Sequence, residues 1–277
     1  MSRYRVLDLL LCLLALVGAA AVEAADSPTG VVLRYHHGEG DRAVYDSVAV
    51  SHQTSMSANS PTEMEMTCYS LRGRYGFTFR GLSDEGMGRV EVTAGEIEAM
   101  AEDGSTRMVA AMAMPPGEEE PQAYSLRGEL PRDTASGGHS TNDVIFLAGV
   151  GVLPEEPVTV GDTWEGVAQF PQWGDAVHEK SLWRYHSQIL GTDSYDGQDC
   201  FKIRTTLSLE NADAGSIERI NGVYAAEWLF EPELGLVMKA DMSGAVAATY
   251  TSGRSETITY HNTVKLIEYN GQKLPAD

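Results

Sequence analysis

Between Phe201 and Glu210 apolar and polar residues alternate. Phe201, Ile203, Leu207 and Leu209 fall on one side of an extended chain, and Lys202, Arg204, Thr206, Ser208 and Glu210 on the other. A period of two with one apolar and one wet side predicts a strand of an antiparallel sheet that covers a core with a single face. The same period recurs along most of the chain. It opens with Val31, Leu33 and Tyr35, continues as a long strand over residues 42–56, and resumes over 63–72. Tyr75, Phe77 and Phe79 put three aromatics on one side, and strands follow over 89–94, 96–101 and 107–114. Later strands are predicted over 164–170, 180–190 (Trp183, Tyr185 and Ile189 facing the core), 223–230, 236–242, 245–250 and 256–269. Asp103-Gly104, residues 193–199, residues 231–235 and Ser243-Gly244 supply the turn chemistry between them. One helix is expected, over 142–148, capped by Ser140 or Thr141 and ended by Gly149 and Gly151. The predicted fold is mainly β: a curved antiparallel sheet or pair of sheets, a half-barrel or open barrel or sandwich-like form, with this short helix on the concave side.

Two stretches begin alike. Gly40-Asp41 precedes the strand that carries Tyr45, and Gly161-Asp162 precedes the strand that carries Trp164. Further on, residues 82–86 precede a strand from Arg89, and residues 190–197 precede one from Cys200. An internal duplication would produce this pattern. The expected organisation is a first β-rich half over 25–138, a short helix and connection over 139–152, and a second β-rich half over 153–277, the halves forming one continuous domain. Gly40, Asp41, Gly161, Asp162 and Trp164 are read as structural residues.

Residues 1–24 begin with Arg3 and Arg5, run apolar over 9–21, and end Val22-Glu23-Ala24. The apolar run is shorter than the ~20 residues of a spanning helix, so a secretory signal cleaved near Ala24 is expected, with an extracytoplasmic mature protein and no transmembrane span. Removal of this segment takes two basic and two acidic side chains and leaves the net charge at −20. Such a surface repels nucleic acid. Two cysteines follow the signal, Cys68 and Cys200, both in strand-like surroundings. They either form a disulfide between the halves or stay as two free thiols, since spacing in sequence does not bring Cα atoms to bonding distance.

Candidate chemistry is sparse. No G-x-S-x-G or H-E-x-x-H stretch occurs, and no cofactor motif is present. Met108, Met112 and Met114 share the period of a strand face, either as an adaptable binding surface or as core filling. Trp173, between Pro171 and Gly174, is the tryptophan expected to be exposed. Asp193, Asp196 and Asp199 are oxygen donors at a spacing of three, a candidate calcium site or a hairpin turn. The adjacent His36 and His37 fall in a predicted turn and are read as surface residues.

The stretch LPEEPVTVGDTW at 153–164, with YHSQIL at 185–190, GQDCFKI at 197–203 and FEPELGLV at 230–237, resembles an uncharacterised family of bacterial exported β-rich proteins and lipoproteins. The resemblance implies a β-rich envelope protein and transfers no catalytic residue. This chain lacks the lipoprotein members' cysteine at the cleavage point. The expected function is a non-catalytic exported protein that binds an apolar or amphiphilic small molecule or an envelope partner. The alternatives are a structural or protein-interaction module of the envelope and an unrecognised hydrolase.

Overall fold

The computed structural model describes residues 30–57, 60–101, 106–109, 122–128, 152–169, 182–210 and 217–274. The strands are β1 (Arg42–Ser57), β2 (Ser60–Leu82), β3 (Gly88–Ala101), β4 (Thr106–Val109), β5 (Gln122–Tyr124), β6 (Thr163–Gln169), β7 (Leu182–Tyr195), β8 (Gln198–Glu210), β9 (Ile217–Glu231), β10 (Leu236–Tyr250), β11 (Ser255–Tyr269) and β12 (Gln272–Lys273). All pair antiparallel in one sheet of order β4-β3-β2-β1-β11-β10-β9-β8-β7-β6, with β5 on β3 and β12 on β11. The chain therefore runs as a meander whose seam joins β1 to β11. Among the described residues β4 and β6 are edges, and the sheet does not close into a barrel.

The alternation read from the sequence sets which face is which. Tyr45, Tyr75, Phe77, Phe79, Trp183, Tyr185, Ile189, Ile203, Leu207, Tyr224, Trp228, Tyr260 and Val264 are all buried on one face, the inner one. The outer face is wet and carries ion pairs such as Asp46 with Arg72, Arg80 with Glu91, and Glu227 with Lys202 and Arg204. The sheet curls around its inner face. Tyr195 on β7 donates a 3.4 Å hydrogen bond to the Leu266 carbonyl on β11, four strand positions away. In a flat sheet those strands would lie ~19 Å apart. Register shifts at Val44/Tyr45, Phe79/Leu82, Ile189/Gly191 and Val237/Lys239 cluster at the same end of the sheet, where bulges increase twist.

Several elements differ from expectation. Ser243-Gly244 is not a turn: β10 runs unbroken from Leu236 to Tyr250, with Gly244 paired to Tyr224 and Tyr260. The glycine is there for the ring of Tyr224, which lies across it. The turn predicted over 193–199 narrows to Asp196-Gly197, both at positive φ (52° and 75°), the geometry of a two-residue hairpin that suits the twist of β7 and β8. The two strands predicted over 89–94 and 96–101 form one, β3, with a register shift where Tyr75 pairs with Ala94 and Gly73 with Ile97. The signal segment, Asp103-Gly104 and the helix predicted over 142–148 lie outside the described residues.

Candidate functional site

One end of the curled sheet is capped by two extended segments, 30–38 and 152–160, each leading into a strand. They meet as an antiparallel bridge, with Val31 N–H donating to Val158 O at 2.8 Å and Val158 N–H donating to Val31 O at 3.0 Å. Arg34 locks the pair, its guanidinium donating to the carbonyls of Pro154 (2.7 Å) and Glu155 (2.6 Å). Leu33, Tyr35, Val152 and Leu153 are thereby buried against the core, and Tyr35 meets Phe230 edge to face at 5.6 Å.

The two Gly-Asp elements build the same turn twice. Gly40 (φ 89°) and Gly161 (φ 97°) occupy conformations that favour glycine. In each, the following aspartate accepts the backbone N–H three residues earlier, Gly38 to Asp41 at 2.6 Å and Thr159 to Asp162 at 2.7 Å. Each glycine N–H then donates to a buried residue of the next strand, Phe79 or Ile189, at 2.9 Å. That residue's N–H donates back to the backbone carbonyl of Asp41 (2.9 Å) or Asp162 (3.0 Å). The equivalence extends to the ladder shifts beside Phe79 and Ile189. Asp162 spends its carboxylate on Thr159, and Asp41 spends its own on Gly38, Tyr269 and Asn270. Burial alone would raise the Asp41 pKa. The hydrogen bonds from Asn270, Gly38 and Tyr269, with the nearby His37, outweigh it and hold the carboxyl below the usual carboxylate range.

The third wall of the cap is the turn between β9 and β10. Glu231 is buried, and its carboxylate accepts the N–H groups of Glu233 (3.1 Å) and Leu234. Gly235 (φ 64°) lets the turn press on the first segment, since a Cβ there would stand 2.6 Å from the His36 nitrogen. His36 in turn hydrogen-bonds the Glu233 carbonyl at 2.8 Å. The stretches 153–164, 185–190, 197–203 and 230–237 thus contribute to one end of the sheet, and their glycines, prolines and acids shape its backbone.

His37 is not the surface residue the sequence suggested. Its ring stacks on Phe79 at 3.6 Å, and both ring nitrogens are buried without a hydrogen-bond partner. Burial, then the neighbouring His36, push its pKa down to about 3 against a smaller opposing pull from Asp41. Cys200 is buried and its thiol is pushed up to about 12 by burial and then by Glu231, so it stays protonated. Cys68 is a second free thiol, five strand positions from β8, so no disulfide joins the halves. Met108 lies in β4, paired with Glu98; Met112, Met114 and Trp173 lie outside the described residues. Asp193, Asp196 and Asp199 frame the β7–β8 hairpin, where Asp193 accepts the N–H of Ser194. The described residues contain no cluster of three His, Cys, Asp or Glu side chains gathered for a metal ion. Trp164 is half-buried and donates its indole N–H to the Val152 carbonyl at 2.6 Å. Beside it an open groove of about 560 Å³ runs along residues 154–165, edged by Glu155, Glu156, Asp162, Glu165 and Arg127.

No protein-family model and no curated protein matches this chain. Among solved structures it is similar to one described as lipid-protein interactions in lipovitellin, with 12% identity, a TM-score of 0.44, and coverage of 87% of this chain. The chain spans 26% of that structure's length.

Beyond the cap, the inner face has its own design, which the sequence reading missed. Aromatic side chains pack against glycines: Tyr224 against Gly244, Tyr185 against Gly166, Trp183 against Gly222 and Tyr75 against Gly73. This arrangement pairs a strand-weakening glycine with a ring that covers its backbone. The signal was available as glycines inside strand patterns, which mark close approach as well as turns. Between these rings runs a small polar row. Ser187 hydrogen-bonds Thr205 at 2.8 Å, Trp228 donates to Thr205 at 3.0 Å, and Ser47 donates to Asn262 at 3.0 Å. Of the buried polar and charged residues described, Glu231 alone is ionisable, and it belongs to the cap. The shifted groups of the inner face move toward their neutral forms: burial raises Tyr45, Tyr75 and Tyr224.

Proposed function

We propose that this chain is an exported, non-catalytic protein that holds an apolar or amphiphilic ligand on the inner face of its open sheet. The observation that supports the reading is the separation of charge. The chain carries a net charge of −20, yet the middle of the described inner face holds no charged side chain: aromatic rings pack against its glycines and most of its hydroxyl and amide groups pair with one another, while its one low-exposure carboxylate, Glu256, stands at the far end of β11, bonded to Gln53, Tyr250 and Arg254. A face of that kind attracts the hydrocarbon part of a ligand, and its few polar groups orient the rest. Aspartates that would tempt a catalytic reading are committed to backbone turns, and the Cys200 thiol is protonated. Export follows from the signal segment, and the acidic exterior keeps such a carrier soluble.

The test is saturable binding of a fluorescent apolar probe by the full chain, with displacement by a long-chain fatty acid. Val246→Glu puts a charge on the inner face, where Val246 packs against Gly222, and is expected to weaken probe binding at least about tenfold. Val223→Glu, on the outer face of the neighbouring strand and exposed, should leave binding unchanged. A folded wild-type chain without saturable binding, or equal binding by the two variants, overturns the reading. Native mass spectrometry after mild extraction from the source cells then identifies the bound class.

A further inference from the structure

The outer face of the β1–β2 hairpin changes character along its length. Where neighbouring rungs carry charge pairs such as Asp46 with Arg72, the distal rungs carry sulfur. Met66 is 60% exposed, Met64 61% and Met56 39%. The ladder pairs His52 with Cys68, Thr54 with Met66 and Met56 with Met64 on successive rungs of one face. Methionines in such positions contribute no core packing, and three in a row beside a free thiol and an imidazole call for a chemical reason.

We propose that His52, Cys68 and Met66 form a binding site for a soft monovalent metal ion, cuprous copper, with Met56 and Met64 as an adjoining thioether pair. The geometry supports one ion between the first two donors. Cys68 Sγ and His52 Nε2 stand 3.8 Å apart. Metal–sulfur and metal–nitrogen bonds of ~2.3 and ~2.0 Å place two ligands of one ion ~3.5–3.7 Å apart for angles between tetrahedral and trigonal, so 3.8 Å matches an angle slightly wider than trigonal. Met66 is two residues from Cys68 on the same strand and diagonal to His52, a separation long side chains bridge. The third donor decides the metal. Zinc and calcium call for further nitrogen, thiolate or oxygen ligands, and the described residues offer no trio of His, Cys, Asp and Glu there; thioether and thiolate together select Cu(I). On binding, Cys68 gives up its proton and the His52 imidazole ligates in its neutral form.

The experiment is anaerobic competition between the full chain and a chromophoric Cu(I) chelator in the presence of a reductant. The wild-type chain is expected to withdraw one equivalent of Cu(I). Cys68→Ser should weaken binding by at least about 100-fold, since a direct ligand matters no less than the outer-shell groups whose loss costs ~10–100-fold. Met66→Leu keeps the apolar bulk and removes the sulfur, and should weaken it at least about tenfold. All three positions are on the solvent side of the ladder, so circular dichroism and thermal melts are expected to match the wild type. X-ray absorption of the loaded chain should show two sulfur neighbours and one nitrogen. No Cu(I) uptake, a Met66→Leu variant that binds like the wild type, or a first shell of nitrogen and oxygen alone each overturns the proposal. Tight Zn(II) binding indifferent to Met66→Leu does so as well.

Discussion

Substitution of Gly244 by alanine tests whether the close packing of rings on glycines of the inner face is a structural requirement. In an ordinary strand position, glycine to alanine is favourable by roughly 0.5–1 kcal/mol, because alanine loses less chain entropy on folding. At Gly244 the new Cβ would stand 2.5 Å from the Val223 carbonyl oxygen and 2.7 Å from Tyr224 Cγ. One of these is backbone of a central strand and the other is the base of a buried ring, so neither yields by a simple rotamer change. Overpacking of this kind costs about 1–3 kcal/mol, which exceeds the entropic gain, and Gly244→Ala is expected to destabilise by about 1–2 kcal/mol. Gly191 supplies the control. It also lies within a strand, but a Cβ there meets nothing within 4 Å, so Gly191→Ala should be neutral or stabilising. Urea unfolding of both variants at neutral pH, followed by tryptophan fluorescence, gives the comparison. Combining Gly244→Ala with Tyr224→Ala should be non-additive, with a coupling of at least about 0.5 kcal/mol. A Gly244→Ala variant as stable as the wild type would refute the close ring-over-backbone packing.

Other outcomes follow from the cap. His37, with a folded pKa of about 3 against ~6.5 when unfolded, contributes fully above pH 6.5 and loses its contribution as pH falls, because the unfolded chain takes up the proton first. Relative to His37→Phe, the wild type should lose about 1.4 kcal/mol between pH 7.5 and 5.5 in urea titrations; parallel stability curves would show that the ring is solvated. Asp41→Ala removes acceptors for Gly38, Tyr269 and Asn270, whereas Asp162→Ala removes acceptors for Thr159 only. Chemical denaturation should therefore rank the losses at about 2–3 and about 1 kcal/mol, and the reverse order would count against the assignment. Trp164→Phe loses the indole bond to Val152 and should cost about 1 kcal/mol, and Trp164→Ala about 2–3, less than for a fully buried ring. A Trp164→Phe melt that coincides with the wild type would show that the hydrogen bond contributes nothing.

Strand type and inner or outer side were legible in the chain because a pleated strand alternates its side chains with a period of two. Phe201 to Glu210, Tyr75 to Phe79 and Trp183 to Ile189 needed no other information. The Gly-Asp turns were legible for a local reason too, since a positive-φ glycine followed by a carboxylate that accepts an earlier N–H is written within four residues. Ser243-Gly244 misled because the same glycine that permits a turn also permits a neighbouring ring to lie on the backbone, and that ring, Tyr224, comes from another strand. Which strands become neighbours was decided only by the tertiary structure: β1 pairs with β11, more than two hundred residues later. Long-range pairing also set the cap. His37 acquired its buried site from Phe79, Arg34 found carbonyls at 154 and 155, and the Glu-Pro-Glu-Leu-Gly turn at 231–235 closed over His36. Sequence spacing carries no record of such contacts, which depend on how far a sheet curls. It is likewise pairing across the β1–β2 ladder that set His52 against Cys68 beside Met66, three residues that the linear chain keeps apart.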